Sequence, residues 1–320
     1  FVAECTRIGN LTSKTPEPKP GTLGLLIAKY KSSPQFLEDI QPRTRSDYQK
    51  IFDYLQPIDD MPLLSFKSKT IVLIRDKAAS KHGRRFGNYV KAVLSRLFSW
   101  GRERGFVEAN PAIGLPDIKR DKKKPPANRR WTDEERQAVL QALPTYMLPV
   151  VALMMFTGID PQDAVALPKD AYQDGKIDSR RGKTGRTQWW KAPQQLRDIL
   201  DAIPPHHSPT ICVNSLGKPW TVSGYRDSWR KIKLQLEAER KIQDGLTLKG
   251  LRHTVASILA EMGCDERTIA DALGHETLAM ARHYSKHADL TRKMESVSEN
   301  FDAEVTRRAN RLSNQSAKAV

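Results

Sequence analysis

One short segment divides this chain into two parts and so limits the folds that are open to it. Residues 117–130, DIKRDKKKPPANRR, contain seven lysines and arginines and two prolines, with almost no apolar side chain for a core. Such a composition is typical of a linker rather than of a helix or strand. The 320 residues are enough for a separate core on each side. We therefore expect two domains, residues 21–116 and 131–290, with a flexible arm before them (1–20) and a tail after them (291–320).

The first region has the pattern of an all-α domain. Apolar side chains recur at helical spacing in residues 44–55 and again in residues 86–104. They are Tyr48, Ile51, Phe52 and Leu55 in the first stretch, and Phe86, Tyr89, Val93, Leu97 and Trp100 in the second. By contrast, the sequence KTPEPKP near the start of the chain has the composition of a loose arm.

The second region mixes helices with a short β-structure. Thr132, followed three residues later by Glu135, predicts a capping box at the start of a helix. The apolar run 147–156 predicts a buried helix, because it is only about half the length of a membrane span. Further helices are predicted at residues 194–202, 223–242, 251–262 and 266–273. The predicted fold class is therefore mainly α with a small β-sheet.

The stretch RRGKTGRTQWW, residues 180–190, contains the Gly-Lys-Thr of a nucleotide-binding P-loop but not its spacing. A P-loop has a glycine five residues before the Gly-Lys pair and a helix after it, whereas position 177 is Ile177. The residues after Gly185 are strand formers, and Pro193 ends them. We predict a β-hairpin with Thr184 and Gly185 at its tip and Lys183 on the turn.

Charge and cysteine content restrict the class of protein. The excess of 53 basic over 37 acidic residues gives a formal charge of +16, and the pI is about 9.8. Such an excess points to a polyanion, most simply DNA or RNA, although a basic protein can carry it for solubility alone. Cys5, Cys212 and Cys264 are too few and too far apart for a disulfide framework or a zinc motif, which fits a reducing cytosol.

Two stretches near the end of the second region share a spaced pattern of basic and aromatic residues. TLKGLRHTVASILAEMG (residues 247–263) and ADALGHETLAMARHYSK (270–286) contain a basic residue, an arginine three later, Leu-Gly-His, and a tyrosine nine after that histidine. This pattern resembles the tyrosine recombinases, the phage integrase family. MMFTGIDPQDAVALPKDAY (154–172) resembles the helix-turn-helix that opens their active site, and the hairpin of Lys183 resembles their catalytic lysine hairpin. Residues 22–116 look like their helical core-binding domain.

The resemblance implies a DNA breaking and rejoining reaction without metal or nucleotide. A covalent phospho-enzyme bond conserves the energy of the phosphodiester, so strand exchange needs no energy source. Tyr284 is the implied nucleophile, and it leaves a 3′-phosphotyrosine and a 5′-hydroxyl. Arg252 offers a forked donor to the phosphate, and His275 hydrogen-bonds the phosphate or helps to deprotonate the tyrosine. Lys183 is the implied general acid for the leaving 5′-oxygen, with a plain contact to the DNA backbone as its alternative.

Two positions depart from the family's pattern. Lys249 stands where the family usually has a histidine, and a cation there can still hydrogen-bond phosphate. The second departure is Asp160, which stands where the first catalytic arginine normally is. A carboxylate repels a phosphate, and the loss of one such donor costs about 3–4 kcal/mol in other enzymes.

Three interpretations of Asp160 stay open. A nearby arginine can take over the missing contact, with Arg180, Arg181 and Arg186 as candidates. Asp160 can turn away and leave a slow enzyme that needs a partner or a conformational change. Finally, the chain can be an inactive integrase-like protein that binds DNA without cutting it. We expect the slow or compensated enzyme, because the other residues of the pattern are retained.

Basic side chains outside this pattern are candidates for contact with the DNA backbone, although a charged helix face is often merely solvated. They are Lys91, Arg96, Lys122, Lys123, Lys124, Arg129 and Arg130. His283 and His287 have a spacing that can bind zinc, but the glutamate of an HExxH motif is missing between them. We therefore expect no metal and no cofactor.

The expected partner is double-stranded DNA, held by the two domains as a C-shaped clamp. In the tail, Met294, Val297, Phe301 and Val305 form an apolar stripe that can pack on its own domain or on a neighbouring protomer. In the tyrosine recombinases C-terminal segments dock on a neighbour, which implies a homotetramer on two DNA sites.

The resemblance also implies integration or excision of a mobile element, with an accessory DNA-bending or directionality factor as a further partner. No signal peptide is visible, and Phe1 suggests that the natural N-terminus is missing or trimmed. We expect a cytoplasmic, nucleoid-associated protein of bacterial or phage origin, with no membrane contact.

Overall fold

The structure is a computed structural model that describes residues 18–121, 123, 127–285, 289 and 291–316, with the backbone alone at 283–285, 292 and 309–316. The chain separates into two compact units, and the division lies between residues 124 and 125. Within the described ranges, no helix is both long and apolar enough to cross a membrane. Helices carry most of the described chain and the only sheet there has three strands, so the predicted fold class is confirmed.

The first unit is built from helices around one apolar core. Its helices are α1 (Leu23–Lys31), α2 (Pro34–Leu37), α3 (Pro42–Leu55), α4 (Ser68–His82) and α5 (Arg84–Glu103). The predicted stripe of α3 faces the core with Ile51, Phe52 and Leu55, and that of α5 with Val93, Leu97 and Trp100. Both stripes are therefore confirmed.

Helices α4 and α5 lie very close together, and a glycine permits this approach. A Cβ atom at Gly87 of α5 would stand 2.6 Å from the carbonyl oxygen of Arg75 on α4. Helix α4 has no stripe in the sequence, because its apolar residues at 71–74 are consecutive. Packing against α5 therefore defines this helix, and the sequence pattern alone did not predict it.

The start of the predicted linker is bound to the first unit. Asn88 of α5 accepts a hydrogen bond from the Ile118 amide at 2.9 Å and donates one to the Ile118 carbonyl at 3.1 Å. Lys91 forms an ion pair with Asp117 at 2.6 Å. The segment therefore follows α5 as far as Ile118.

The second unit consists of helices packed around a central apolar helix, with the sheet at one side. Its elements are α6 (Asp133–Ala142), α7 (Leu148–Thr157), α8 (Pro161–Val165), β1 (Tyr172–Gln173), β2 (Lys176–Arg180), β3 (Thr187–Lys191), α9 (Gln194–Asp201), α10 (Val222–Ala238), α11 (Leu248–Glu261), α12 (Glu266–Ala272), α13 (Leu278–Ser285) and α14 (Thr291–Ser316). The three strands are antiparallel in the order β1–β2–β3.

Helix α7 is the centre of this unit, and it is buried on nearly every side, as its continuous apolar sequence predicts. It packs against α9 and α11. Thr132 and Glu135 form the predicted capping box at the start of α6. Helix α10 ends four residues before the predicted end, because Arg240 has a left-handed φ of 56° that turns the chain and directs Ile242 into the core.

Candidate active site

The turn between β2 and β3 carries Lys183 on an exposed tip. Below the tip, the Arg181 amide donates to the Arg186 carbonyl at 2.8 Å, and the Gly185 amide donates to the Arg181 carbonyl at 2.8 Å. Gly185 has a φ of +69°, which glycine adopts without strain. A strand follows this turn, so the predicted hairpin is confirmed and the P-loop alternative is excluded.

The base of this hairpin is fixed to the segment that leads to His275. Arg181, which is only 7% exposed, donates from Nη1 to the Gly274 carbonyl at 2.9 Å. Gln188 and Trp190 of β3 both donate to the Ala272 carbonyl, each at 3.1 Å. The hairpin that presents Lys183 is thus held against the turn of His275 by side-chain hydrogen bonds.

Arg252 lies on α11 and is almost completely buried. Its guanidinium donates from Nη1 to the Gly158 carbonyl at 2.7 Å and from Nη2 to the Leu273 carbonyl. Gly158 ends α7 with a left-handed φ of +68°, and a Cβ atom there would stand 2.5 Å from Leu273 Cδ2. Only glycine allows α7 to end this close to the segment before His275.

His275 is fully buried on the turn after α12, where its amide donates to the Ala270 carbonyl at 2.7 Å. Burial, and after it the positive charges of Arg252 and Arg181, lower the pKa of its imidazole from 6.5 to about 3. The ring is therefore neutral at physiological pH, and a neutral imidazole can accept a proton.

Tyr284 lies on α13, which begins three residues after His275 and packs against α11 and α12. The Tyr284 side chain lies outside the described part of the structure, so its role as nucleophile stays a prediction.

The Asp160 side chain is hydrogen-bonded to the backbone of its own turn. Its carboxylate accepts a hydrogen bond from the Gln162 amide at 3.3 Å and so caps α8, whose first residue is Pro161. One turn later, Asp163 accepts a hydrogen bond from the Gly182 amide at 3.1 Å. Burial raises the pKa of Asp163, and the nearby charge of Asp160 adds to that shift, so the two carboxylates share one neighbourhood.

Lys249 is exposed on the first turn of α11 and lies at one end of a basic groove. The groove has a volume of about 410 Å³ and is lined by Arg226, Arg230 and Lys233 of α10, together with Pro161. These three residues of α10 are not among the DNA contacts predicted from the sequence. Their spacing of four and three residues places them on one helix face, and this was the signal that could have found them.

Most of the other predicted DNA contacts that the structure describes have partners within the protein. Arg129 donates to both carboxylate oxygens of Glu135, at 2.8 and 2.6 Å, and Arg130 pairs with Glu261. Lys91 donates to the Leu115 carbonyl at 2.8 Å, and Arg96 hydrogen-bonds Tyr30. These four have intramolecular partners, whereas Lys123 is exposed. Lys122 and Lys124 lie outside the described residues, and DNA binding by any of the seven stays a prediction.

The described residues contain no cluster of three side chains able to hold a metal ion. The His283 and His287 side chains lie outside the described part.

Comparisons with known proteins agree with this arrangement. Residues 132–290 match the model of the phage integrase family. The tyrosine recombinase XerA of Pyrococcus furiosus is 27% identical over 163 residues, which is 48% of this chain and 56% of XerA. XerC of Listeria monocytogenes is 37% identical over 75 residues, 23% of this chain and 24% of XerC. The chain thus spans about half of the first relative and a quarter of the second.

Solved structures share the fold. A lambda integrase dimer bound to a core site superposes with a TM-score of 0.68 and 18% identity, covering 84% of this chain and 96% of that one. A lambda integrase tetramer bound to a Holliday junction has a TM-score of 0.69 and 17% identity, and the match covers 90% of this chain and 87% of that one. The Tn1549 transposon integrase in complex with a circular intermediate DNA has a TM-score of 0.71 and 16% identity, and the match covers 87% of this chain and 99% of that one. The match of residues 132–290 to the phage integrase family model identifies the chain as a member of the tyrosine recombinase (phage integrase) family.

Proposed function

We propose that this chain is a site-specific tyrosine recombinase, which cleaves and rejoins duplex DNA through a 3′-phosphotyrosine at Tyr284. One observation carries the proposal. The buried Arg252 donates to the turn that carries the buried, neutral His275, and the base of the Lys183 hairpin is hydrogen-bonded to that same turn. A forked cation, a proton acceptor and an ammonium group on a hairpin anchored beside them are groups that serve phosphoryl transfer to an enzyme hydroxyl.

In the proposed reaction one phosphorus–oxygen bond forms and one breaks. One proton leaves the attacking hydroxyl, and one proton reaches the leaving oxygen. The Tyr284 hydroxyl attacks the scissile phosphorus, a new phosphorus–oxygen bond forms, and the bond to the 5′-oxygen breaks. His275 receives the tyrosine proton. Burial and, after it, the arginine charges keep its pKa low, and a bound phosphate offsets the arginine charges. Lys183 supplies the proton to the leaving 5′-oxygen, and Arg252 holds a non-bridging oxygen. Rejoining reverses these steps with a new 5′-hydroxyl.

Duplex DNA is the proposed substrate, and the basic groove on the second unit is its proposed backbone site. Arg226, Arg230 and Lys249 are exposed along this groove. Cations in such a line match the phosphates of one strand, and contacts of this kind release counterions and make binding sensitive to salt. The helical first unit, residues 21–116, is the proposed core-binding domain, and residues 131–290 form the proposed catalytic domain.

The proposed assembly is a homotetramer on two DNA sites, held together by the C-terminal helix. Met294, Val297, Phe301 and Val305 of α14 are between 47 and 69% exposed, so the described part of the second unit does not cover this stripe. A neighbouring protomer is the proposed partner. Removal of residues 291–320 should abolish pairing of two DNA sites in a gel-shift assay and leave single-site binding unchanged. If both survive the deletion, the stripe does not hold the assembly together.

The proposed biological role is integration or excision of a mobile element in a bacterial nucleoid, with an accessory DNA-bending or directionality factor. Lambda integrase and the integrase of the Tn1549 transposon share the fold of this chain. These neighbours support the role by analogy of fold.

A second candidate is an inactive relative that binds a DNA site without cutting it, and Asp160 favours this alternative. One experiment separates the two. The protein is incubated with nicked suicide duplexes made from the DNA that flanks its own gene, and SDS-resistant adducts are counted, with Tyr284→Phe as the control. An adduct that disappears in the control supports the recombinase. Sequence-specific binding without an adduct, both in the wild type and in Asp160→Arg, supports the inactive relative.

A further inference from the structure

The pattern of the family leaves one place in this chain without a cation. Asp160 occupies the position of the first catalytic arginine, and its carboxylate caps α8. The transition state of phosphoryl transfer spreads negative charge over non-bridging oxygens, and each oxygen needs a fixed donor. Arg252 alone serves one side of the phosphate.

Three arginines near the hairpin could supply the missing donor, and their surroundings separate them. Arg180 is exposed and donates from Nε to the Gly185 carbonyl at 2.9 Å, so its guanidinium is bound to the tip of its own hairpin. Arg186 is exposed. Arg181 alone of the three is buried, and its Nη1 is fixed by the Gly274 carbonyl at 2.9 Å.

Arg181 and Arg252 hold neighbouring peptide units. Arg252 donates to the carbonyl of Leu273, and Arg181 donates to the carbonyl of Gly274, immediately before His275. Consecutive Cα atoms are about 3.8 Å apart, so the two guanidinium groups are anchored on adjacent peptide units. Both lower the pKa of His275, which places both charges near its ring.

Arg181 is also tied to the turn of Asp160. The amide of the next residue, Gly182, donates to Asp163 at 3.1 Å, one helical turn after Asp160. Arg252 in turn donates to Gly158, two residues before Asp160. Arg181, like Arg252, therefore lies where the Asp160 turn and the His275 turn come together.

We propose that Arg181 is a catalytic residue that contacts the scissile phosphate and replaces the arginine absent at position 160. Its hydrogen bond to Gly274 involves a neutral carbonyl and one N–H, and a guanidinium has five N–H donors in a planar fork. The bond to Gly274 fixes the fork, and the remaining donors can reach two oxygens of the phosphate. This inference rests on the proposed recombinase function.

The alternative role for Arg181 is to position the hairpin through Gly274, and Gln188 offers the matched control. Gln188 binds the same segment through Ala272 at 3.1 Å, but it has no charge. Gln188→Met removes this anchor and keeps the phosphate donor. A purely positional role for Arg181 predicts similar losses for Gln188→Met and Arg181→Gln, whereas a catalytic role predicts a much larger loss for Arg181→Gln.

The decisive test is a rescue with suicide duplexes under single-turnover conditions. Arg181→Gln should reduce the rate of adduct formation at least about 100-fold, and Arg181→Lys should recover only part of it, because an ammonium lacks the fork. Arg181→Gln combined with Asp160→Arg should regain at least about tenfold, since an arginine then returns to position 160. Asp160→Asn keeps the helix cap without adding a cation, so the same combination with Asp160→Asn should regain less than Asp160→Arg does.

The outcomes separate this inference from the proposed function. If the wild type forms the adduct and Arg181→Gln forms it equally fast, or is slowed without rescue by Asp160→Arg, Arg181 is not the substitute and the recombinase stands. If the wild type forms no adduct, the assignment of Arg181 is tested by binding of inorganic phosphate to the full chain. The NMR signals of His275 report this binding. A loss of phosphate affinity in Arg181→Gln but not in Arg180→Gln supports the assignment of Arg181, and equal affinity in both variants overturns it.

Discussion

Two sets of basic residues in the second unit differ in how they are held. The inner arginines, Arg181 and Arg252, are buried and fixed by backbone carbonyls. The outer cations, Arg226, Arg230 and Lys249, are exposed along a groove. A fixed donor in a buried site stabilises charge that develops in a transition state, whereas exposed cations bind a polyanion through charges that water and salt screen. The inner set should therefore govern the rate of cleavage, and the outer set the affinity for DNA.

The largest expected effect belongs to Arg252. Arg252→Gln should slow adduct formation about 100- to 1000-fold at saturating DNA, because one fixed donor to the phosphate is lost. DNA affinity should change only a few-fold, since the groove is intact. Single-turnover cleavage and a binding isotherm measure both quantities. A loss confined to affinity would place Arg252 with the outer set.

A second prediction concerns Arg129, whose charge belongs to neither set. Its bidentate pair with the buried Glu135 indicates a role in stability. Arg129→Gln should lower the free energy of unfolding by about 2–3 kcal/mol, because it leaves a buried carboxylate without its cation. Arg130→Gln is the matched control, because the Arg130 side chain is 44% exposed and its pair with Glu261 should contribute less than about 1 kcal/mol.

Urea denaturation monitored by tryptophan fluorescence tests this difference. If Arg129→Gln weakens DNA binding and leaves the free energy of unfolding unchanged, the DNA contact predicted from the sequence is correct and the structural role is wrong.

The third prediction uses the pKa of His275, which burial and the inner arginines lower to about 3. The folded pKa lies below the ordinary value of 6.5, so the unfolded chain binds more protons between these limits. The contribution of His275 to stability is complete above pH 6.5 and is lost as the pH falls towards 3, by up to about 1.4 kcal/mol per pH unit.

His275→Gln should therefore have a smaller loss of stability with acid than the wild type over this window. An NMR titration of the His275 ring sharpens the comparison of the two sets. Arg252→Gln should raise the pKa of His275, whereas Arg226→Ala on the groove should leave it unchanged. An equal shift in both variants would show that the two sets act on the site alike.

The smallest effect is expected in the groove. Arg226→Ala and Arg230→Ala should each reduce the slope of log affinity against log salt by about 0.9, since each removes one phosphate contact. The cleavage rate at saturating DNA should not change. Lys231→Ala is the control, because Lys231 is exposed on the same helix but does not line the groove. Equal slopes for all three variants would remove the groove from the DNA-binding surface.

Much of the fold could be predicted from the sequence because its elements have local signals. The stripes of α3 and α5, the capping box of α6, the apolar α7 and the Lys183 hairpin all depend on residues close together in the chain. Helix α4 was missed because its consecutive apolar residues lack helical spacing. The strand β1 was missed because two residues give no pattern.

The residues of the candidate site could be predicted where they belong to the family's motif. The partners of the other basic residues could not be predicted, because they depend on which side chains meet in the folded chain. Arg252, His275 and Tyr284 follow from a spaced motif. Arg129 and Arg130 had the composition of a basic linker, and only the structure reveals that carboxylates at Glu135 and Glu261 bind them. The sequence could not choose among Arg180, Arg181 and Arg186, since burial is a property of the folded chain.

By itself, the sequence determined the two-part organisation around a basic segment, the mainly helical class and the motif of the recombinases, because periodicity and spacing are encoded locally. Only the tertiary structure decided which cations are buried beside His275 and which are paired or exposed. The contact between Arg181 and Gly274 joins residues 93 positions apart. Such contacts depend on how the hairpin and α12 pack, and no local pattern in the chain encodes that packing.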